Sequence, residues 1–155
     1  MSYSNNQYHF DFEEYQLLHH LENSQSSIDY NHAGWFYFLN KGDTHTAGRF
    51  FFRLVFNEPK SLSHRFEIAR FLSLSKQRVA AIRWWHSALK MALKQPQTLK
   101  QDLAFIYLEL GRLYQITNRV ERFRRYLHLS INACPGYRPA MKLLEQSNPI
   151  NHDRC

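Results

Sequence analysis

The 155-residue chain contains only two cysteines, five glycines and five prolines. Two cysteines, one of them the last residue, cannot form the disulfide framework that stabilises many small secreted domains. No apolar run approaches the roughly 18–20 residues that a membrane-spanning helix requires. The first residues also lack the basic and apolar regions of a secretory signal. We therefore expect a reducing, cytoplasmic location.

Basic residues are absent from the beginning of the chain. Residues 1–30 contain five Asp and Glu and no Lys or Arg, whereas residues 31–155 contain all 20 basic residues and eight acidic ones. The formal charge is thus −5 for the leading segment and +12 for the rest. Such a segment either docks on the basic body or serves as a separate recognition element.

The scarcity of glycine and proline predicts long elements separated by few turns. Apolar residues recur every three or four positions along most of the chain, which is typical of amphipathic helices. Clean alternation between hairpin turns does not occur. In the aromatic run 49–56 a strand competes, but Ala47, Phe51, Leu54 and Val55 share a helical face. We predict a helix there as well.

The prolines divide this helical pattern at nearly regular intervals. Pro59, Pro96 and Pro135 are separated by 37 and 39 residues. Regular spacing of this kind is typical of stacked helical hairpins. Five prolines can also produce two similar gaps by chance, so the side-chain pattern between them has to decide.

That pattern is clearest near the C-terminus. The apolar residues of the segment 103–114 step by four, three and four positions, which makes one helical stripe. Gly111 lies in this stripe and, lacking a Cβ, allows a second helix to approach closely. Thr117 and Asn118 end the first helix, and we expect Asn118 to cap the next one. Pro135 and Gly136 then stop the second helix.

These residues carry a resemblance to a known family. The run Tyr107-x2-Leu110-Gly111-x2-Tyr114, followed by Phe123-x3-Leu127 and Pro135, resembles the tetratricopeptide repeat. Tyr107 stands where that family has Trp, and Phe123 stands where it has Ala. Two looser units resemble it as well, one at Ile68-Ala69-x2-Leu72 and Ala81-x3-Trp85, the other at Gly34-x2-Tyr37 and Ala47-x3-Phe51.

The resemblance implies an all-α fold, a short α-solenoid of about three tetratricopeptide-like hairpins. We expect residues 1–30 to be an acidic segment with one helix, 31–147 to be the repeat domain, and 148–155 to be a flexible tail. The helix that opens at Arg138 would cap the array. A generic helical bundle is the alternative. The layout is also similar to that of bacterial secretion chaperones, although those are commonly acidic and this chain is basic.

Residues that carry catalysis are scarce. None of the nine histidines has another histidine four positions away, and the chain has no H-E-x-x-H, no C-x-x-C and no glycine-rich phosphate loop. Glu13 and Glu14 are adjacent, so on a helix they diverge and do not face each other as an acid–base pair. We therefore expect a protein that is not an enzyme and that holds no metal or other cofactor.

Binding is the function that remains. In arrays of helical hairpins the first helix of each pair lines a concave face. Exposed positions on those helices predict a partner-binding groove that is rich in aromatic residues and arginine. Its predicted residues are Asn31, Trp35, Phe38, Phe66, Arg70, Ser73, Leu108, Arg112 and Gln115. The resemblance thus implies an adaptor, scaffold or chaperone-like protein, and the positive charge favours an acidic protein or peptide partner.

A second surface offers a different partner. Arg119, Arg122, Arg124 and Arg125 crowd one helix, and basic residues near aromatic rings can hold phosphates and stack bases. The alternative function is therefore nucleic-acid binding. Finally, we expect the acidic segment from Phe10 to Leu21 to pack as a helix on the first hairpin. It would do so in its own chain or by exchange between two chains of a homodimer.

Overall fold

The computed structural model describes residues 6–24 and 26–147, with side chains from Glu13 onward. Within these residues the chain forms eight α-helices and no strand. This confirms the all-α prediction, including a helix across 49–56, whereas the predicted tail 148–155 lies outside the described residues. The helices are α1 (Asn6–Ser24), α2 (Ser27–Leu39), α3 (Thr44–Asn57), α4 (Leu62–Leu74), α5 (Arg78–Ala92), α6 (Lys100–Ile116), α7 (Val120–Ala133) and α8 (Arg138–Ser147).

The chain divides into two compact units between residues 67 and 68, inside α4. Unit 1 contains α1, α2, α3 and the first part of α4. Unit 2 contains the rest of α4 and α5 to α8. The α2 helix begins at Ser27, before the boundary that the charge pattern suggested at residue 30, because the Ser26 hydroxyl caps it by accepting a hydrogen bond from the backbone N–H of Asp29 at 3.2 Å.

The turns lie where the sequence places its breakers. Pro59, Pro96 and Pro135 fall between α3 and α4, α5 and α6, and α7 and α8 respectively. Between α2 and α3, Gly42 adopts a φ of 66° and Asp43 caps α3 by accepting from the backbone N–H of Thr46 at 2.9 Å. The turns therefore follow from local sequence chemistry.

One capping prediction was wrong. Asn118 does not cap α7: it adopts a φ of 56°, and Arg119 stands at the N-cap without a side-chain hydrogen bond. Asn118 instead closes α6, because asparagine tolerates left-handed angles and lets the backbone N–H of Arg119 reach the carbonyl of Tyr114 at 2.8 Å. The asparagine is a C-terminal stop.

Unit 1 is organised around the α2–α3 hairpin. A methyl group added at Gly34 on α2 would lie 2.8–2.9 Å from ring carbons of Phe51 on α3. The two helices can therefore approach this closely only with glycine at position 34. Ala47, Phe51 and Leu54 of α3 are fully buried, so the helical face predicted from their spacing is the packed one.

The acidic helix α1 contacts this hairpin through a polar cluster. Glu14 accepts a hydrogen bond from the Tyr37 hydroxyl at 2.7 Å and lies 2.7 Å from the ammonium group of Lys41. These two contacts, that with Lys41 foremost, lower the pKa of Glu14. Leu21 of α1 is buried. The helix between Phe10 and Leu21 therefore lies on its own chain's first hairpin, although the side chain of Phe10 lies outside the described residues.

In unit 2, α6 is packed by α5 on one side and by α7 on the other. A methyl group added at Gly111 would lie 3.3 Å from Cδ2 of Leu127 on α7, which confirms the close approach expected there. The buried Ser130 hydroxyl donates to the Ala104 carbonyl at 2.6 Å and ties α7 to α6. Helix α8 covers α7 and buries Ala140, as expected for a cap.

Candidate partner-binding surfaces

The predicted groove residues of unit 1 lie on one face of α2 and on α4. Asn31, Trp35, Phe38 and Phe66 are all half-buried. The Trp35 indole N–H donates to Oε2 of Glu67 at 2.8 Å. Its ring also meets the rings of Phe51 and Phe38 edge to face, with centroids 5.0 and 6.1 Å apart. Trp35 thus serves partly as core and presents only part of its ring to solvent.

Two apolar residues of this α2 face were missed. Ile28 and Leu39 are each 67% exposed. Together with His32 and Trp35 they occupy positions i, i+4, i+7 and i+11 of α2, so helical spacing was the signal that could have identified them. We call Ile28, Trp35, Phe38 and Leu39 the apolar α2 face.

The predicted groove residues of unit 2 have different environments. Arg70, Arg112 and Gln115 are exposed. Ser73 is half-buried, and its hydroxyl donates to the Ala69 carbonyl at 2.8 Å and accepts from the Trp85 indole N–H at 3.2 Å. Its hydrogen-bonding capacity is therefore used within unit 2, where it joins α4 to α5.

Leu108 was wrongly assigned to the groove. It is only 2% exposed. The assignment failed because α6 contacts both α5 and α7, so a residue outside the main apolar stripe is still covered by a neighbouring helix. Leu108 belongs to the core.

Two of the predicted arginines lie close to the same carboxylate. The Arg112 guanidinium donates to Oε1 of Glu109 at 2.6 Å, and Arg70 acts on Glu109 electrostatically from α4. Burial raises the pKa of Glu109 against the opposing effects of Arg112 and Arg70. We call Arg70, Glu109 and Arg112 the arginine cluster. The sequence did not lead us to Glu109, although its i, i+3 spacing to Arg112 was the available signal.

The four arginines of the predicted basic surface are all exposed. They do not share one face of α7. Arg122 and Arg125 lie on one side of the buried Phe123, whereas Arg124 lies on the other side, because neighbouring residues of a helix point about 100° apart. The Arg122 guanidinium lies 5.4 Å from the centroid of the Tyr114 ring.

A histidine and two tyrosines form a partly buried cluster in unit 2. Nε2 of His86 on α5 lies 3.1 Å from the Tyr114 hydroxyl, and the Tyr114 and Tyr126 rings stack with centroids 5.3 Å apart. Burial lowers the pKa of His86, and the nearby Arg122 adds to this effect. The neutral imidazole is therefore favoured at this position.

Charge differs sharply between the two units. Residues 1–67 contain eight acidic and five basic residues, whereas residues 68–155 contain five acidic and 15 basic ones.

Among the described residues no group of three or more His, Cys, Asp or Glu is placed to hold a metal ion. None of the helices in the described ranges is long and apolar enough to cross a membrane.

Comparison with solved structures shows which fold these hairpins share. The N-terminal domain of stress-induced protein-1 (STI-1) from C. elegans is 13% identical, with a TM-score of 0.67 over 79% of this chain and 94% of that one. MamA is 15% identical, with a TM-score of 0.68 over 95% and 84%. A chain of the CopN–Scc3 complex is 18% identical, with a TM-score of 0.60 over 80% and 68%.

Comparisons based on sequence alone find no match, in contrast to those based on structure. No protein-family model matches the chain, and comparison with curated proteins gives no match. The structural likeness at this level of identity concerns the fold alone. It agrees with the glycine and alanine positions, the proline turns and the hairpin contacts described above. The chain therefore has a tetratricopeptide-like helical-repeat fold.

Proposed function

We propose that this protein is a non-catalytic interaction module that binds an acidic segment of a partner protein at the arginine cluster of unit 2. Tetratricopeptide-like neighbours support a role in protein–protein interaction. One of these neighbours was solved as part of a complex. In this proposal the protein acts in the cytoplasm as an adaptor, a scaffold or a chaperone-like protein.

The arginine cluster carries this proposal. Two guanidinium groups, those of Arg70 and Arg112, act on the one carboxylate of Glu109, so positive charge is concentrated at this site of unit 2. Each guanidinium has five N–H donors, and the Arg112 side chain remains 50% exposed while it contacts Glu109. An aspartate or glutamate of a partner would accept charge-assisted hydrogen bonds from the exposed part of the Arg112 guanidinium.

The charge of unit 2 supports the same partner class. With ten more basic than acidic residues in residues 68–155, this part of the chain attracts acidic segments and accelerates their encounter. Affinity also needs apolar anchors, because a few buried aromatic contacts usually dominate binding. In unit 1, the apolar α2 face and the neighbouring Asn31 and Phe66 offer a separate surface of that kind.

A nucleic acid is the second candidate partner. The observation that favours it is the set of exposed arginines on α7, together with the arginine placed over Tyr114. The distribution of these arginines around α7 argues against a nucleic-acid partner, because binding along a phosphate backbone requires positive charges on one face of the protein. We therefore rank it below the acidic protein partner.

One binding experiment separates these functions. The full-length chain, nuclease-treated and immobilised, is used to capture proteins from cell extract. The proteins retained by the wild type are compared quantitatively with those retained by the variant R70A/R112A. The matched control is R83A/R124A, which removes two exposed arginines of unit 2 from other positions. We expect the cluster variant to lose the acidic proteins and the control to retain them.

Equal capture by both variants would contradict the proposal. Gel shifts with mixed RNA and DNA oligomers at about 50 and 200 mM salt test the alternative, because phosphate contacts weaken steeply as salt rises. A shift at the lower salt that is lost in R122A/R125A would make nucleic acid the preferred partner. No shift at either salt would remove it.

A further inference from the structure

The outer face of α3 in unit 1 is unusually aromatic for an exposed surface. Phe56 is 85% exposed and Phe52 is 48% exposed. Arg49 and Arg53 are exposed beside them, at spacings of three, four and seven that place all four side chains on one helical face. We call Arg49, Phe52, Arg53 and Phe56 the basic aromatic α3 face. The packed side of α3 is opposite, where Phe51 and Leu54 are buried.

A shallow cavity of about 290 Å³ opens beside this face. Its lining comes from three helices of unit 1: Leu18, Leu21, Glu22, Tyr30, Phe50 and Arg53. Leu21 and Tyr30 are buried and form an apolar floor, and the Arg53 guanidinium lies 5.8 Å from the centroid of the Tyr30 ring. Glu22 and Arg53 are exposed, so one acidic and one basic side chain stand at the rim.

The dimensions and chemistry of this cavity suit an aromatic ring. An apolar protein cavity of about 150 Å³ is large enough to bind benzene, so the space here accommodates a phenyl ring with room for its entry. The most exposed phenylalanine among the described residues, Phe56, lies one helical turn from Arg53 at the cavity rim. A protruding ring and a cavity that can receive a ring are therefore neighbours on the same surface.

We propose that this surface binds a second copy of the chain, with Phe56 of each protomer filling the cavity of the other. A surface that carries both a protrusion and a neighbouring cavity able to receive it permits a two-fold interface, in which each contact occurs twice. The charges are self-complementary in the same way. The rim Glu22 on the acidic α1 and Arg53 on the basic aromatic α3 face pair crosswise between protomers.

This interface differs from the exchange of α1 that the charge pattern suggested. In the structure Glu14 of α1 contacts Tyr37 on its own chain's α2 and Lys41 in the turn that follows α2, so α1 contributes to the dimer without leaving its protomer. The residues of this interface belong to unit 1, whereas those of the arginine cluster belong to unit 2. Dimerisation and acidic-partner binding can therefore be tested independently.

Sedimentation velocity of the full chain between about 1 and 200 μM tests the proposal, because a reversible dimer shifts with concentration by mass action. We expect the wild type to approach twice the monomer mass as concentration rises. F56S should remain monomeric at every concentration. The matched control is V79S, which removes an apolar side chain that is 66% exposed in unit 2 and should dimerise like the wild type. Equal circular dichroism spectra establish that all three proteins are folded.

A mixing experiment then tests the crosswise charge pair. R53E and E22R should each be monomeric, because every interprotomer pair then joins like charges. Mixed in equal amounts they should dimerise, since the carboxylate at position 53 of one chain faces the guanidinium at position 22 of the other. Within each chain, the side chains at positions 22 and 53 still carry like charges in the mixture. A return to the dimer mass therefore reports contact between the two chains. A monomeric wild type, a dimeric F56S, or a mixture that stays monomeric would overturn the proposal.

Discussion

The α2–α3 hairpin of unit 1 and the α6–α7 hairpin of unit 2 both place a glycine at the helix contact, but against different side chains. A methyl group at Gly34 would approach the Phe51 ring to 2.8–2.9 Å, whereas one at Gly111 would approach Leu127 to 3.3 Å. The ring is rigid and fully buried, while the end of a leucine side chain can move by a few tenths of an ångström. The hairpin that matches the repeat pattern less well therefore has the stricter requirement for glycine.

The largest expected effect concerns Phe51. F51A should lower the free energy of unfolding by about 3–5 kcal/mol, because it empties a fully buried ring site.

G34A alone should lower the free energy of unfolding by about 1–3 kcal/mol through overpacking. In an F51L background the added methyl group no longer meets a ring, so most of the cost of G34A should disappear. Urea denaturation followed by circular dichroism measures F51A and the four combinations of glycine or alanine at position 34 with phenylalanine or leucine at position 51. If G34A costs as much with leucine as with phenylalanine at position 51, the ring is not what restricts position 34.

A smaller effect is expected at the second glycine. G111A should change the free energy of unfolding by less than about 1 kcal/mol, because the gain of roughly 1 kcal/mol in helix propensity offsets a mild contact with Leu127. G111L should still destabilise by about 1–3 kcal/mol through overpacking. The same denaturation series measures both. A loss with G111A as large as that with G34A would remove the difference between the hairpins.

The smallest effects are in pH dependence, where the units again differ. The lowered pKa of His86 means that unfolded chains bind more protons than folded ones just below its ordinary value of 6.5, so stability should begin to fall there as pH decreases. In unit 1, hydrogen bonds from Lys41 and Tyr37 lower the pKa of Glu14 below its ordinary value of 4.5, so its contribution is lost only in stronger acid.

Melting temperatures between about pH 3 and 8 test this separation. H86Q should flatten the profile around and just below pH 6.5, while E14Q should flatten it only below about pH 4.5. If H86Q leaves the profile around pH 6.5 unchanged, burial of His86 is not the source of this pH dependence.

The sequence predicted the hairpins more reliably than it predicted which residues bind. Helix positions, the proline turns and the stripe containing Gly111 follow from periodicity and turn chemistry, which act over a few neighbouring residues. The groove assignment required knowledge of which helix covers which face. It was wrong for Leu108, because α5 and α7 both contact α6. It also missed Glu109, whose contact with Arg112 is local but whose interaction with Arg70 joins two helices.

The sequence by itself determined the helical class, the hairpin turns and the division between an acidic beginning and a basic remainder. Only the tertiary structure decided that Gly34 meets Phe51, that Arg70 and Arg112 act on one carboxylate, and that Phe56 stands beside a cavity of unit 1. The physical reason is distance along the chain. Helix formation and capping depend on residues within about four positions, whereas burial and ion pairing depend on packed helices whose residues lie tens of positions apart.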